Sequence, residues 1–128
     1  MTKEENIKYW LESSDNNVVT MHNLFNSKDY GWSLFIGHLV IEKLLKAYYI
    51  KHKDENYPQI HDLLRLADRA GLILNAKQKD LLDEITGFNI SVRYEDYKKE
   101  FRKKCSEEFA KEYINKIEEF RIWIKKKL

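Results

Sequence analysis

The stretch that most constrains this chain covers residues 29–52, DYGWSLFIGHLVIEKLLKAYYIKH. It is long enough for a helix of roughly 36 Å, and its apolar side chains would lie on nearly every side of that helix. A helix that is apolar all round belongs in the interior of a domain. The segment therefore predicts a central helix around which the rest of the chain packs.

Three polar side chains interrupt this segment at intervals of four residues: His38, Glu42 and Lys46. Because residues spaced i, i+4 and i+8 stack on one face of a helix, they are expected to form a single polar line. One interpretation is structural, with a Glu42–Lys46 pair beside a hydrogen-bonded histidine. The other is a polar cleft that binds a ligand, since a buried charge without a partner costs several kcal/mol.

The composition favours one folded, all-helical domain spanning residues 1–128. Hydrophobic residues make up 43% of the chain and aromatic residues 13%, so burial can offset the entropy lost on ordering the backbone. Four Gly and one Pro are fewer than the hairpins of a many-stranded sheet require. The single cysteine, Cys105, excludes an intramolecular disulfide, and neither a signal peptide nor a membrane span is visible. We therefore expect a cytoplasmic protein without a membrane partner.

Helical spacing and capping residues predict an antiparallel hairpin in the first half of the chain. Thr2 and Glu5 have the spacing of a capping box, and a helical apolar pattern continues from there to about residue 26. The pattern survives five poor helix formers at residues 13–17, so one helix is expected. The short connection at residues 27–29 then turns the central helix back along the first.

The second half predicts three further helices, which gives an antiparallel up-and-down bundle of about five helices. A short helix is expected over residues 61–70, and a fourth begins at Asn75 and ends near residues 89–91. Residues 92–105 are charged and aromatic without a clear helical stripe, so an irregular crossover is expected there. Ser106 is the expected N-cap of the last helix.

Two places in the second half could meet the polar line across the bundle. His61 stands at the start of the third helix, where it could act in binding or simply follow the turn. Arg93 and Tyr94 lie in the expected crossover. The planar guanidinium of an arginine suits a phosphate, a base or a carboxylate. The alternative for Arg93 is a counter-ion role toward Glu42.

Several common types of site are excluded by the sequence. The glycines are isolated, one cysteine cannot build a cysteine-based zinc site, and the four histidines lack metal-ligand spacing. We therefore expect no metal, no cofactor and no confident catalytic residue. Net charge is only +2, but residues 93–128 hold twelve basic and eight acidic side chains. This excess marks either solvated helix ends or a phosphate-binding face.

Three blocks of the chain, IEKLLKAYYI at 41–50, HDLLRL at 61–66 and VRYEDY at 92–97, occur in an order that resembles the HEPN domain. This is the higher eukaryote and prokaryote nucleotide-binding family. The resemblance covers roughly residues 8–122. It implies a helical bundle that commonly forms a homodimer, often beside a minimal nucleotidyltransferase in a toxin–antitoxin pair. Many members are metal-independent ribonucleases.

The ribonuclease signature of that family is an Arg followed four to six residues later by a His. Here the last histidine, His61, precedes the first arginine, Arg65, so the signature is absent. The resemblance then implies a non-catalytic module that binds a nucleotide or RNA and dimerises. Its alternatives are a ribonuclease with a divergent site and a purely structural partner protein. The candidate ligand-binding residues are His38, Glu42, Lys43, Lys46, His61, Arg93 and Tyr94.

Overall fold

The computed structural model describes the backbone of residues 1–128 and every side chain except those of residues 95 and 96. Six helices follow one another along the chain: α1 Lys3–Asn26, α2 Tyr30–His52, α3 Leu63–Arg69, α4 Ala76–Arg93, α5 Glu95–Lys104 and α6 Glu107–Lys125. No β-strand occurs in the described backbone. The prediction of an all-helical bundle is confirmed, with six helices instead of about five.

Two hydrogen bonds show that α1 and α2 form the expected antiparallel hairpin. Ser14 Oγ donates to the backbone oxygen of Val40, and Ser33 Oγ donates to that of Met21, each at 2.8 Å. Residue numbers fall on one helix as they rise on the other, as antiparallel packing requires. α1 passes unbroken through residues 13–17, because the hydroxyl of Ser14 bonds to α2 instead of competing for its own backbone.

The central position expected for α2 is confirmed. Five of its large aliphatic side chains are fully buried: Leu34, Ile41, Leu44, Leu45 and Ile50. α1, α3, α4 and α6 all pack against it, and α5 contacts it to a smaller extent. Most side chains in the middle of α2 therefore face a neighbouring helix, so the polar residues among them depend on partners from other elements.

A glycine in α2 sets how closely its neighbours approach. An added Cβ at Gly37 would lie 2.6 Å from Cδ1 of Ile117 in α6 and 3.3 Å from the sulfur of Met21 in α1. The first distance is shorter than van der Waals contact allows. The absence of a side chain at this position thus lets three helices meet.

The caps expected from sequence delimit several helices. The hydroxyl of Thr2 accepts a hydrogen bond from the backbone N–H of Glu5 at the start of α1. Asn75 and Gln78 form a reciprocal capping box at the start of α4, and Ser106 caps α6. Each of these side chains satisfies a backbone N–H that the first turn leaves without a helical partner.

The prediction of an irregular crossover over residues 92–105 is wrong. α5 covers most of this segment, and a single residue lies between the end of α4 and the start of α5. Phe101 anchors α5, since its ring centroid lies 5.4 Å from that of Phe88 in α4 and its exposure is only 8%. The charged residues of α5 are concentrated on one side, so the helix is amphipathic. Its low overall hydrophobicity hid this pattern in the sequence.

α4 also ends later than residues 89–91, where its end was predicted. The helix continues to Arg93, because Val92 is buried and extends the apolar side that packs on α2. Tyr94 then adopts an extended backbone conformation and separates α4 from α5. This extra turn determines where the side chain of Arg93 emerges.

Candidate functional site

The polar line predicted on α2 lies inside the bundle. His38 is fully buried, and the exposures of Glu42 and Lys46 are 4% and 9%. Charged groups at such depth are stable only with partners that replace water. Side chains from the segment before α3, from α4 and from α1 supply those partners.

Both ring nitrogens of His38 are occupied by neighbours. Nε2 lies 2.9 Å from the backbone oxygen of His61, and Nδ1 lies 3.2 Å from the amide nitrogen of Asn89. The carbonyl can only accept and the amide nitrogen can only donate, so His38 is neutral with its proton on Nε2. Burial lowers the pKa of His38 below its ordinary 6.5, which favours the same neutral form.

Glu42 shares its carboxylate between two partners. Nδ1 of His61 donates to Oε1 at 2.7 Å, and Nζ of Lys46 donates to Oε2 at 3.4 Å. The alternative in which Arg93 is the counter-ion of Glu42 is wrong. On α4, Asn89 contacts the polar line at His38. Arg93 lies one turn of α4 beyond Asn89 and is further from Glu42.

Two aromatic rings enclose the ammonium group of Lys46. Nζ lies 4.8 Å from the ring centroid of Trp10 in α1 and 5.1 Å from that of Tyr57 in the loop between α2 and α3. The two rings meet edge to face at 5.3 Å. The negative faces of the rings stabilise the ammonium, so the lysine tolerates its burial beside Glu42.

The imidazole of His61 connects this buried network to the surface. Its side chain is 59% exposed even though Nδ1 is held by Glu42. Among the side chains that the structure describes, none forms a hydrogen bond with Nε2. The residue after it, Asp62, caps α3 by accepting a hydrogen bond from the N–H of Arg65 at 3.2 Å. Helix α3 and the carboxylate therefore fix the imidazole, with Nε2 directed away from its anchor.

Arg93 and Tyr94 are exposed at the end of α4. The guanidinium carbon of Arg93 lies 5.5 Å from the ring centroid of Phe35, one turn before His38 on α2. The imidazole of His61 also lies beside His38, with 6.5 Å between the two ring centroids. These two exposed side chains therefore flank the buried histidine.

Lys43 faces away from the polar line. Its Nζ donates to Oδ1 of Asn17 in α1 at 2.6 Å, and burial lowers its pKa below the ordinary value. Adjacent residues on a helix point about 100° apart, so a lysine next to Glu42 lies on a different side. The structure thus joins His38, Glu42, Lys46 and His61, but Lys43 contacts another element.

Sequence reasoning missed three residues that complete the network: Trp10, Tyr57 and Asn89. Asn89 is a buried amide at the end of the apolar face of α4, and such a residue is a signal that a hydrogen-bond partner lies opposite. No local signal marks the other two. Trp10 fits the apolar pattern of α1 like any other core residue, and Tyr57 lies in a polar loop.

The HEPN domain family model matches residues 7–128, nearly the whole chain. The chain belongs to the HEPN domain family. Membership of the HEPN family associates it with nucleotide- and RNA-related functions in general. Comparisons with curated proteins and with solved structures gave no significant match.

Two kinds of feature were not found in the described part of this HEPN domain: a membrane-spanning helix and a metal site. No helix in the part of the chain that the structure describes is long and apolar enough to cross a membrane. Among the described side chains, no group of three His, Cys, Asp or Glu residues could hold a metal ion.

Proposed function

We propose that this HEPN domain is a non-catalytic module that binds a nucleotide or RNA and forms a homodimer. The observation that carries the proposal is the closed network around Glu42, whose two oxygens are both taken by partners within the chain. A carboxylate held in this way orients side chains around it and is not free to react. The exposed His61 and Arg93 remain to meet a ligand.

Arg93 is the proposed phosphate contact. Its guanidinium packs over Phe35 through one face, which leaves the edge N–H groups to donate to phosphate oxygens. Tyr94 follows directly and is exposed, so its ring can stack on a base. His61 offers Nε2 as a further hydrogen-bond partner. The buried His38, Glu42 and Lys46 support this surface from beneath.

The missing Arg-to-His signature supports binding without catalysis. The signature requires an arginine before a histidine, and every histidine of this chain precedes every arginine. We further propose that the module acts in the cytoplasm within a two-component, toxin–antitoxin-like system beside a nucleotidyltransferase. The two-component system is supported by the resemblance of the sequence blocks at residues 41–50, 61–66 and 92–97 to the HEPN domain.

A divergent metal-independent ribonuclease is the second candidate, and the Glu42–His61 contact favours it. A carboxylate on Nδ1 places the proton there and directs the lone pair of Nε2 outward, as a general base requires. Nε2 would take the proton of an RNA 2′-hydroxyl, and that oxygen would attack the adjacent phosphorus. The P–O5′ bond would break to leave a 2′,3′-cyclic phosphate, and the departing 5′-oxygen would take a proton from water. Arg93 would stabilise the negative charge on the non-bridging phosphate oxygens. His38 is unsuitable as this base, because both of its nitrogens are engaged.

Calorimetric titration with a panel of nucleotides and short RNAs tests the proposal. We expect saturable heat for the wild-type chain and at least tenfold weaker binding for Arg93→Ala, since a charge-assisted hydrogen bond contributes about 1.5–3 kcal/mol. The matched control is Arg69→Ala, at the exposed end of α3. Heat no greater than dilution for both ligand classes overturns the proposal.

A digest without metal separates the two candidates. His61→Asn is the informative variant, because the asparagine amide nitrogen occupies the place of Nδ1 and keeps the bond to Glu42 while Nε2 is lost. The binding module predicts intact RNA with either protein. Cleavage by the wild-type chain that disappears in His61→Asn would instead establish the ribonuclease.

A further inference from the structure

A basic cleft of about 400 Å³ lies between the turn that joins α1 to α2 and helix α5. Three cationic side chains line it: Lys28 from the turn, and Lys98 and Arg102 from α5. Among the side chains that the structure describes, none of the three is paired with a carboxylate. Of the described side chains in the lining, Asp29 alone is a carboxylate, so these side chains give the cleft an excess of positive charge.

Other clefts of comparable size do not share this character. One is lined by three carboxylates and two lysines, a second by two carboxylates and one lysine, and a third by three carboxylates, one arginine and one lysine. Acidic side chains outnumber basic ones in each of them, which disfavours an anion. Among the described side chains of these clefts, an excess of positive charge occurs at the cleft beside α5, although the net charge of the chain is only +2.

Aromatic side chains give the basic cleft a second property. Tyr30, Trp32 and Phe101 line it, and the large indole of Trp32 is 40% exposed. Cations that follow a backbone together with exposed rings on which bases stack are the combination that binds single-stranded nucleic acid. Trp32 is the exposed ring of the three, since Phe101 packs against Phe88 and is 8% exposed.

The cleft is continuous with the proposed phosphate contact. The ring of Trp32 meets Phe35 edge to face at 5.4 Å, and Phe35 in turn lies beneath the guanidinium of Arg93. Val92, which precedes Arg93, also belongs to the lining of the cleft. A surface of alternating rings and cations therefore extends from Arg93 into the cleft.

We propose that this cleft is a second phosphate and base subsite, so that the ligand is a single-stranded oligonucleotide and not a mononucleotide. The inference rests on the proposed function, because the strand begins at Arg93 and continues past Trp32 to Lys98 and Arg102. Each cation neutralises one backbone phosphate, and Trp32 stacks on a base. Lys98 and Arg102 belong to the basic excess of residues 93–128, which would then bind phosphate in addition to lying at helix ends.

Lys28 provides a variant in which binding and folding are expected to change in opposite directions. Its φ angle is 65°, a left-handed conformation that costs free energy for any residue with a Cβ. Lys28→Gly removes this strain together with the charge. We expect a higher Tm and weaker binding of the oligonucleotide, a combination that general damage to the fold cannot produce.

Fluorescence anisotropy with a labelled oligoribonucleotide of about ten nucleotides tests the inference. Arg102→Gln and Lys98→Gln are each expected to weaken binding about five- to tenfold and to reduce the slope of log affinity against log salt by about 0.7 for each phosphate left without its cation. Calorimetry with a mononucleotide should give the same affinity for these variants and the wild type. Lys51→Gln, at the opposite end of α2, is the matched control and should match the wild type.

The outcomes separate this inference from the proposed function. Binding by the wild-type chain with unchanged affinity in all three cleft variants overturns the inference and leaves the proposed function intact. Equal weakening of mononucleotide and oligonucleotide also overturns it, since the cleft would then hold one nucleotide alone. Absence of any binding overturns both.

Discussion

His61 Nδ1 lies 2.7 Å from Oε1 of Glu42, so a mostly exposed histidine is fixed by a carboxylate that is 4% exposed. The other oxygen of that carboxylate faces Lys46. One buried charge on the central helix thereby links the core to the surface at which we propose that a ligand binds.

Replacing Glu42 with glutamine should destabilise the fold by about 3 kcal/mol. The amide carries no charge, so the buried ammonium of Lys46 loses its counter-ion, and removal of one partner of a buried pair costs about 3–5 kcal/mol. Urea unfolding gives the free energy of unfolding. Glu12→Gln is the control, since Glu12 forms an i, i+4 pair with Lys8, in the reverse order along the helix, on an exposed surface at 3.8 Å. Equal effects for both variants would contradict the buried network.

Replacement of Gly37 in α2 and of Gly87 in α4 by alanine should change the stability of the fold in opposite directions. Gly37→Ala should cost about 1–3 kcal/mol, because its Cβ would overlap Ile117. Gly87→Ala should stabilise by up to about 1 kcal/mol, because no atom lies within 4 Å of the added Cβ and alanine favours the helix. Thermal and urea unfolding measure both changes. A stable Gly37→Ala variant would show that the three helices are packed less closely than described.

Stability should fall on mild acidification because of His38. Its pKa is lowered in the folded chain, so the unfolded chain binds more protons below pH 6.5 and is favoured there. The slope for this one group reaches about 1.4 kcal/mol per pH unit. His38→Gln, whose amide can still donate to the carbonyl of His61, should show a smaller slope between pH 7 and pH 5.5. Equal slopes in the two proteins would be evidence against a neutral buried histidine.

Cys105 should react very slowly with thiol reagents in the folded chain. Burial raises the pKa of its thiol to about 11, and only the thiolate attacks such reagents. Its exposure is 7%. We expect rapid labelling only after denaturant is added. Labelling of the native chain at the rate of a free thiol would show that the packing around α5 opens readily.

Much of the fold follows from local patterns in the sequence. Apolar residues on every side of α2 predicted its central position, and the spacing of His38, Glu42 and Lys46 predicted one polar line. Capping residues predicted the starts of α1, α4 and α6. These features depend on side chains within a few positions of one another, which a sequence displays directly.

The partners of the polar line could not be obtained in the same way. Whether Glu42 meets His61 or Arg93 depends on where α4 crosses α2, and one further turn of α4 moves Arg93 past the carboxylate to Phe35. The enclosure of Lys46 depends on a loop tyrosine, Tyr57, that carries no periodic signal. α5 was missed because the low overall hydrophobicity of residues 95–104 hid the amphipathic pattern of this helix.

The most direct test of the account is a titration of a labelled oligoribonucleotide, followed by electrophoresis of the RNA from the same samples. We predict saturable binding by the wild-type chain, about tenfold weaker binding by Arg93→Ala, and RNA of unchanged length in every sample. Identical binding curves for the two proteins would contradict the role of Arg93. Shortened RNA that is restored to full length by His61→Asn would contradict a non-catalytic module.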